Sequence, residues 1–354
     1  MKIGLLTFHW ATNYGAVLQC YVLQTYLESL GHEVMVINYK PLQYEESFYK
    51  FVRYRKFLRF KEYIDVQRKE DALASFRINS LKLTRLVRTC SCIKEIASQF
   101  DVIISGSDQV VNPFFLCNGE APHTITPTYF LGFPYDGKRI GYALSFGCTK
   151  YPEDAKQIAI PFIKKFNSIS VREATGIDII RSMGRDDVTI VPDPTILMEA
   201  TFYQSLAESF KKKQANSYVY CFFIRNISDI KSSIKSFLSH RSVLWNNDDG
   251  DYTIQGWLSK IMHAEVVLTD SFHCVVMCLK FHKQFIVVTM KDGNVGMNDR
   301  LYTLLSPLDL DDRIINKAKL NKNSIGLVKE VDWTIIDNKL TYYSQAGKSF
   351  LDSI

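Results

Sequence analysis

The chain has 354 residues, 47% of them hydrophobic and 23% charged, with a formal net charge of +6. That length allows two domains with separate cores, and the composition is that of an ordinary globular protein. No run approaches the roughly 20 apolar residues of a membrane span, and the short apolar run after Met1-Lys2 (Ile3 to Phe8) is too brief for a secretory signal, so a soluble, cytoplasmic protein is expected.

Strand-like and helix-like stretches alternate from the start. Lys2–Phe8 is a short apolar run, Tyr14–Leu30 has helical periodicity, and Gly31 stops that helix before the strand pattern Glu33–Asn38. Between Lys50 and Lys94 there are 13 Lys/Arg against 4 Asp/Glu, so this window holds more than the whole net charge. Within it, Phe48, Tyr49, Phe51, Tyr54, Phe57, Leu58 and Phe60 interleave with Lys50, Arg53, Arg55, Lys56, Arg59 and Lys61. Such a stretch is a surface helix that solvates its charges, a reversible contact with the anionic cytoplasmic membrane face, or a holder of a phosphate-rich ligand. Nucleic acid is not expected, because no recognition-module signature accompanies the charge.

Further strands are expected at Asp101–Ser105, Arg139–Ser145, Ser168–Val171 and Val188–Val191. Pro192-Asp193-Pro194 breaks the pattern, since proline fits neither a helix interior nor a central strand. It then restarts: a helix around Ala200–Lys213, strand Tyr218–Ile224, helix Asp229–Leu238 and strand Ser242–Trp245. Last come strand Val266–Thr269, an apolar helix, and strand Phe285–Thr289. Alternation of this kind predicts an α/β fold of parallel sheets covered by helices. Residues 1–194 and 195–330 are read as two Rossmann-like domains, with 331–354 as a C-terminal helix that packs back on the first. Trp333, Ile336, Leu340, Tyr343 and Phe350 form the apolar stripe of that helix. Eight irregularly spaced cysteines read as free thiols, and Cys90-Ser91-Cys92 has no partner pair at zinc spacing, so no metal is expected.

In open parallel sheets ligands bind beyond the carboxyl ends of the strands. The residues there are Asn13 and Gly15 after the first strand, Asp108 and Gln109 after Asp101–Ser105, Arg172-Glu173 after Ser168–Val171, and Asp270-Ser271-Phe272-His273 after Val266–Thr269. Asn13 can cap a helix, and Gly15 can admit a ligand to the backbone. Asp270 or Ser271 can cap the next helix, which leaves His273 in a first turn where the helix dipole favours an anion and imidazole can exchange protons.

The blocks "KIGLLTFHWATNYGAVLQCYVLQTYLESLGHEVMVINYKP", "FDVIISGSDQVVNP", "GYALSFG", "SISVREATG", "VPDPTIL", "LTDSFHCVVMCLKFHKQFIVV" and "NDRLYTLL" together resemble the polysaccharide pyruvyl transferase family. One departure is visible: members with the DSFH block usually carry glycine where this chain has Cys274. The resemblance implies a GT-B-like pair of Rossmann-like domains facing a central cleft. It also implies phosphoenolpyruvate as donor, no required organic cofactor, and a sugar acceptor that becomes a cyclic pyruvate ketal, the sugar being carried on a polyprenyl diphosphate. His273 resembles the family's donor-site histidine, as general acid or base or as a phosphate ligand.

The chemistry needs a proton-transfer residue and cations for a carboxylate and a phosphate. Arg172, with its bidentate fork, and His273 are the catalytic candidates; Arg172, Ser271, His273, Lys291 and Arg300 are the donor-binding ones. Lys291 is either a donor cation or a solvated loop lysine, and Arg300 either a donor cation or a partner for an acid on its own helix. Asn13, Gly15, Asp108 and Gln109 fall on the acceptor side, where Asp108 either deprotonates a hydroxyl or holds a turn. Two other functions remain open: a GT-B-type glycosyltransferase using a nucleotide sugar, and a non-catalytic glycan-binding relative.

Overall fold

The computed structural model describes all residues except 46–59, 211–216, 226, 291–292, 294–297 and 322–329. The basic aromatic stretch therefore lies almost wholly outside the described residues, and so does Lys291. The chain divides into two compact units, Met1–Leu197 with Ala346–Ile354, and Met198–Gln345. The sequence-based division lies at 194/195, three residues earlier than this boundary.

Unit 1 is built on β1 (Lys2–Leu6), β2 (Glu33–Val36), β3 (Val102–Ser105), β4 (Lys138–Leu144), β5 (Ser168–Val171) and β6 (Val188–Ile190). All are parallel, in the order β2-β1-β3-β4-β5-β6. Unit 2 carries β7 (Val219–Phe222), β8 (Val243–Trp245), β9 (Val266–Thr269), β10 (Gln284–Thr289) and β11 (Ile314–Asn316), parallel in the order β11-β10-β9-β7-β8. Parallel strands covered on both faces read as continuous apolar runs. β3 and β9 show this, each buried along its whole length.

The helices that frame the strand ends are α1 (Tyr14–Ser29), α2 (Phe60–Ser80), α3 (Phe272–Lys280) and α4 (Asp299–Leu305). Helix α1 starts where the Asn13 side chain accepts from the Gly15 and Ala16 amides, and Gly31, at φ +83°, turns the chain out of it. Its buried residues run right round the cylinder from Tyr14 to Cys20, as suits a helix covered on more than one side. Leu6, Phe8, Ile103, Leu144 and Ile169 belong to the core of unit 1, and Val219, Cys221, Leu268, Ile286 and Val288 to that of unit 2. The terminal helix, Trp333–Asp352, contributes its end from Ala346 to unit 1, where Phe350 lies 5.9 Å from the Tyr142 ring.

In both sheets the strand order reverses once, between β1 and β3 in unit 1 and between β7 and β9 in unit 2. The crevice beyond the strand ends opens at such a reversal.

Candidate functional site

At the reversal in unit 1, the turn after β1 is tied down by its own polar residues. His9 is buried, with Nδ1 3.2 Å from the Thr7 carbonyl and Nε2 3.1 Å from Asn38 Oδ1. Burial, with Arg77 and Lys40 adding repulsion, lowers its pKa to about 4, so the ring is neutral at ordinary pH. Asn13 caps α1 as expected from its position, but that cap occupies the Gly15 amide: Gly15 N donates to Asn13 Oδ1 at 2.9 Å.

After β3, Gly106 sits at φ +112°, and a Cβ there would lie 2.1 Å from the Tyr142 carbonyl oxygen, so no other residue fits. Asp108, at φ +73°, accepts the Gln109 amide at 2.9 Å through Oδ1, while its carbonyl accepts the Ser145 amide at 3.2 Å. Both bonds hold the turn. Gln109 lies against Gly147, where a Cβ would meet its Oε1 at 2.4 Å.

Arg172 departs from the expectation of a donor clamp. Its side chain is 1% exposed, with Nη1 2.8 Å from Asp193 Oδ2, Nη2 3.5 Å from Asp108 Oδ1 and Nε 3.8 Å from Glu173 Oε2. Burial works against its charge, but Asp193, Asp108 and Glu173 outweigh it and raise the pKa. The carboxylates are held in turn. Asp193 accepts from Ser107 Oγ at 3.1 Å and from the amide and hydroxyl of Thr195 at 3.0 and 2.7 Å. Glu173 Oε1 accepts from Ser145 Oγ at 2.9 Å and the Phe146 amide at 2.7 Å. Burial nevertheless raises the Glu173 pKa, against the pull of Arg172 and these donors. Arg172 is thus the hub that ties the turns after β3, β4, β5 and β6 together. A guanidinium enclosed by three carboxylates is an internal counter-ion, and the fork read as a ligand clamp grips Asp193.

At the reversal in unit 2, Ser271 is the cap of α3, its Oγ accepting the Cys274 amide at 3.3 Å. Asp270 does something else. Its two carboxylate oxygens accept the Ile224 and Arg225 amides at 2.7 and 3.1 Å, which holds the exit of β7. Asn246, just past β8, clasps the same exit through Phe223, accepting its amide at 2.9 Å and donating to its carbonyl at 3.0 Å. Neither role was read from the sequence, although a polar residue directly after each strand was the available signal.

His273 stands in the first turn of α3, 6% exposed, its ring edge-on to Phe272 at 5.3 Å. The guanidinium carbon of Arg300, in the first turn of α4, lies 5.9 Å from the centroid of that same Phe272 ring. The structure therefore brings His273, Ser271 and Arg300 to one ring and two helix starts at the carboxyl edge of the sheet. Arg172 belongs to the other unit.

Two parallel α/β units of this kind define a GT-B-type fold. The model of the polysaccharide pyruvyl transferase family matches residues 13–292, and the chain belongs to that family. Among solved structures, UDP-N-acetylglucosamine 2-epimerase from Rickettsia bellii is similar in fold, with a TM-score of 0.54 at 8% identity, covering 100% of this chain and 98% of that one. The E. coli heptosyltransferase WaaC with ADP aligns at a TM-score of 0.40 and 10% identity, over 98% of this chain and 100% of that one. No curated protein matches. Among the described residues, no helix is long and apolar enough to cross a membrane.

Proposed function

We propose that the protein transfers pyruvate from phosphoenolpyruvate to a sugar of a polysaccharide precursor, forming a cyclic ketal. Family membership supports the transferase class. The observation that carries the donor assignment is the placement of His273 and Arg300 beside the same Phe272 ring at the carboxyl edge of unit 2.

In this reading His273 delivers a proton to the methylene carbon of the enol ester, and C2 gains oxocarbenium character. A sugar hydroxyl attacks C2, the bond from C2 to the phosphate oxygen breaks, and a second hydroxyl of the same sugar closes the ring. Of the two hydroxyl protons, one balances the new methyl group and the other leaves with phosphate. Arg300, with Lys291, serves the donor anion, and Ser271 fixes the turn that presents His273. Arg172 leaves the donor set and becomes the residue that holds Asp108 in place. Asn13, Gly15, Asp108 and Gln109 mark the acceptor side, with the first two shaping the β1–α1 turn. No organic cofactor enters this scheme, and the acceptor is taken to be carried on a polyprenyl diphosphate at the cytoplasmic membrane face.

The test is incubation with phosphoenolpyruvate and candidate lipid-linked sugars, followed by product mass and phosphate release. Product formed from a nucleotide sugar, and none from phosphoenolpyruvate, would replace this reading with glycosyl transfer.

A further inference from the structure

Among the described residues, an arginine that is not fully exposed has something to bind. Arg77 pairs with Glu70, Arg241 pairs with Glu265, Arg139 donates to the Leu131 and Phe133 carbonyls, and Arg300 approaches the Phe272 ring. Arg88, Arg172, Arg185 and Arg313 follow the same rule. Arg225 does not. It is half-buried just past β7, and no described carboxylate, carbonyl or ring approaches its guanidinium. A guanidinium withdrawn from water without a partner loses hydration and gains nothing in return. That arrangement does nothing for the fold, and it leaves a cation ready for an anion.

The backbone of Arg225 is firmly placed. β7 pairs with β9 in a register that sets Phe222 opposite Thr269, and neighbouring strands run about 4.8 Å apart. Counting on from that pair, the third residue on one side is Arg225. The third on the other is Phe272, the ring that His273 and Arg300 share. Asp270 ties the two strand exits together, its carboxylate accepting the Ile224 amide at 2.7 Å and the Arg225 amide at 3.1 Å. Both N–H groups are therefore occupied. What Arg225 has left for a ligand is its side chain.

We propose that Arg225 is a further anion-binding residue of the unit 2 site, gripping a phosphate or carboxylate group of the ligand held beside His273. Either group suits the planar fork, which makes two parallel N–H···O bonds. Phosphoenolpyruvate carries one of each, while Arg172 is committed to Asp193, Asp108 and Glu173. Arg225 fills the vacancy that Arg172 leaves in the donor set. Naming phosphoenolpyruvate as the owner of the anion rests on the function proposed above; the anion site itself does not.

The experiment is calorimetric titration of the full chain with phosphoenolpyruvate, inorganic phosphate and UDP. Wild type, Arg225→Met and Arg225→Lys are compared, with urea unfolding of each alongside. Wild type should bind phosphoenolpyruvate, and Arg225→Met should weaken it about ten- to a hundredfold, the range for losing a charge-assisted pair. Arg225→Lys keeps the charge without the fork and should recover part of that loss. The urea midpoint should stay at its wild-type value in both variants, because the guanidinium has no partner in the fold. Competition by inorganic phosphate that disappears in Arg225→Met assigns the guanidinium to the phosphate group; competition that persists assigns it to the carboxylate. Arg225→Met binding every probe as wild type does, or wild type binding none, overturns the proposal. So does a lowered midpoint with unchanged affinity, which would make Arg225 a residue of the fold. Phosphoenolpyruvate turnover that survives such a result leaves the function proposed above intact. Wild type that binds UDP and ignores phosphoenolpyruvate, with UDP weakened in Arg225→Met, keeps the anion site and counts against that function instead.

Discussion

His9 and His273 hold comparable positions, each just past a strand at the reversal of its sheet, yet their surroundings differ in kind. His9 is locked between a carbonyl and an amide and kept neutral by burial. His273 stands in the first turn of a helix, beside a Phe272 ring that Arg300 also approaches. The arginines repeat the contrast. Arg172 is enclosed by Asp193, Asp108 and Glu173, whereas Arg300 shares an aromatic neighbour with a histidine. A strand end followed by a basic residue therefore marks a place where a ligand could bind. Whether the residue serves a ligand or the fold is decided by its tertiary surroundings.

The largest effect that tests the contrast is on His273. His273→Ala should reduce ketal formation about 10²- to 10⁴-fold, the range for losing a positioned proton-transfer group. The urea midpoint should move little, since a first-turn residue at the sheet edge supports little core. Turnover within a factor of two of wild type would put His273 beside His9 as a residue of the fold.

Arg172→Met should give the opposite pattern. Removing one member of a buried ion cluster leaves carboxylates without their counter-charge and costs about 3–5 kcal/mol, read as a drop in the urea unfolding midpoint. Asp193→Asn should lose stability in the same direction. A variant as stable as wild type but deficient in phosphoenolpyruvate binding would restore the donor clamp expected from the sequence.

His9 supplies the pH arm of the comparison. Its folded pKa of about 4 lies below the ordinary histidine value of 6.5, so the unfolded chain takes up the proton first. The contribution of the neutral ring is thus complete above pH 6.5 and declines as pH falls toward 4. At pH 5 the loss amounts to about 2 kcal/mol. Chemical unfolding of wild type and His9→Gln at pH 5 and pH 7.5 should show it as a pH-dependent gap between the two. A gap that does not change with pH would mean that His9 titrates normally.

Much of the fold was legible, because parallel strands buried on both faces leave short β-branched runs that few other elements produce. β11 escaped notice: three half-buried residues, Ile314–Asn316, carry no such run. Strand order was not legible, since nothing local says that β3 pairs with β1 or that β9 pairs with β7. The site was legible in position and less so in partnership. Arg172 meets Asp108 and Asp193 across 64 and 21 positions, and Asp270 meets Ile224 across 46, distances over which no spacing rule operates. Helix α2 was hidden for another reason. In the basic stretch the charge pattern reads as a surface, and the contacts of Lys69 and Glu70 with the β1–α1 turn need tertiary structure to be seen.

The smallest effect concerns Ser271, and it separates capping from catalysis within one turn. Its Oγ accepts the Cys274 amide, so Ser271→Ala should cost about 1 kcal/mol of stability, the usual value for a lost cap. Asp270 cannot take over, because both its oxygens are committed to the exit of β7. Cys274 itself is fully buried. If Ser271 serves only the turn, Ser271→Gly should recover most of the lost stability, as glycine is tolerated at caps, and turnover should follow stability in both variants. If the hydroxyl also contacts the donor, Ser271→Gly should refold well and still show a raised KM for phosphoenolpyruvate. Steady-state kinetics on the two variants, beside their unfolding curves, decides between a cap and a ligand.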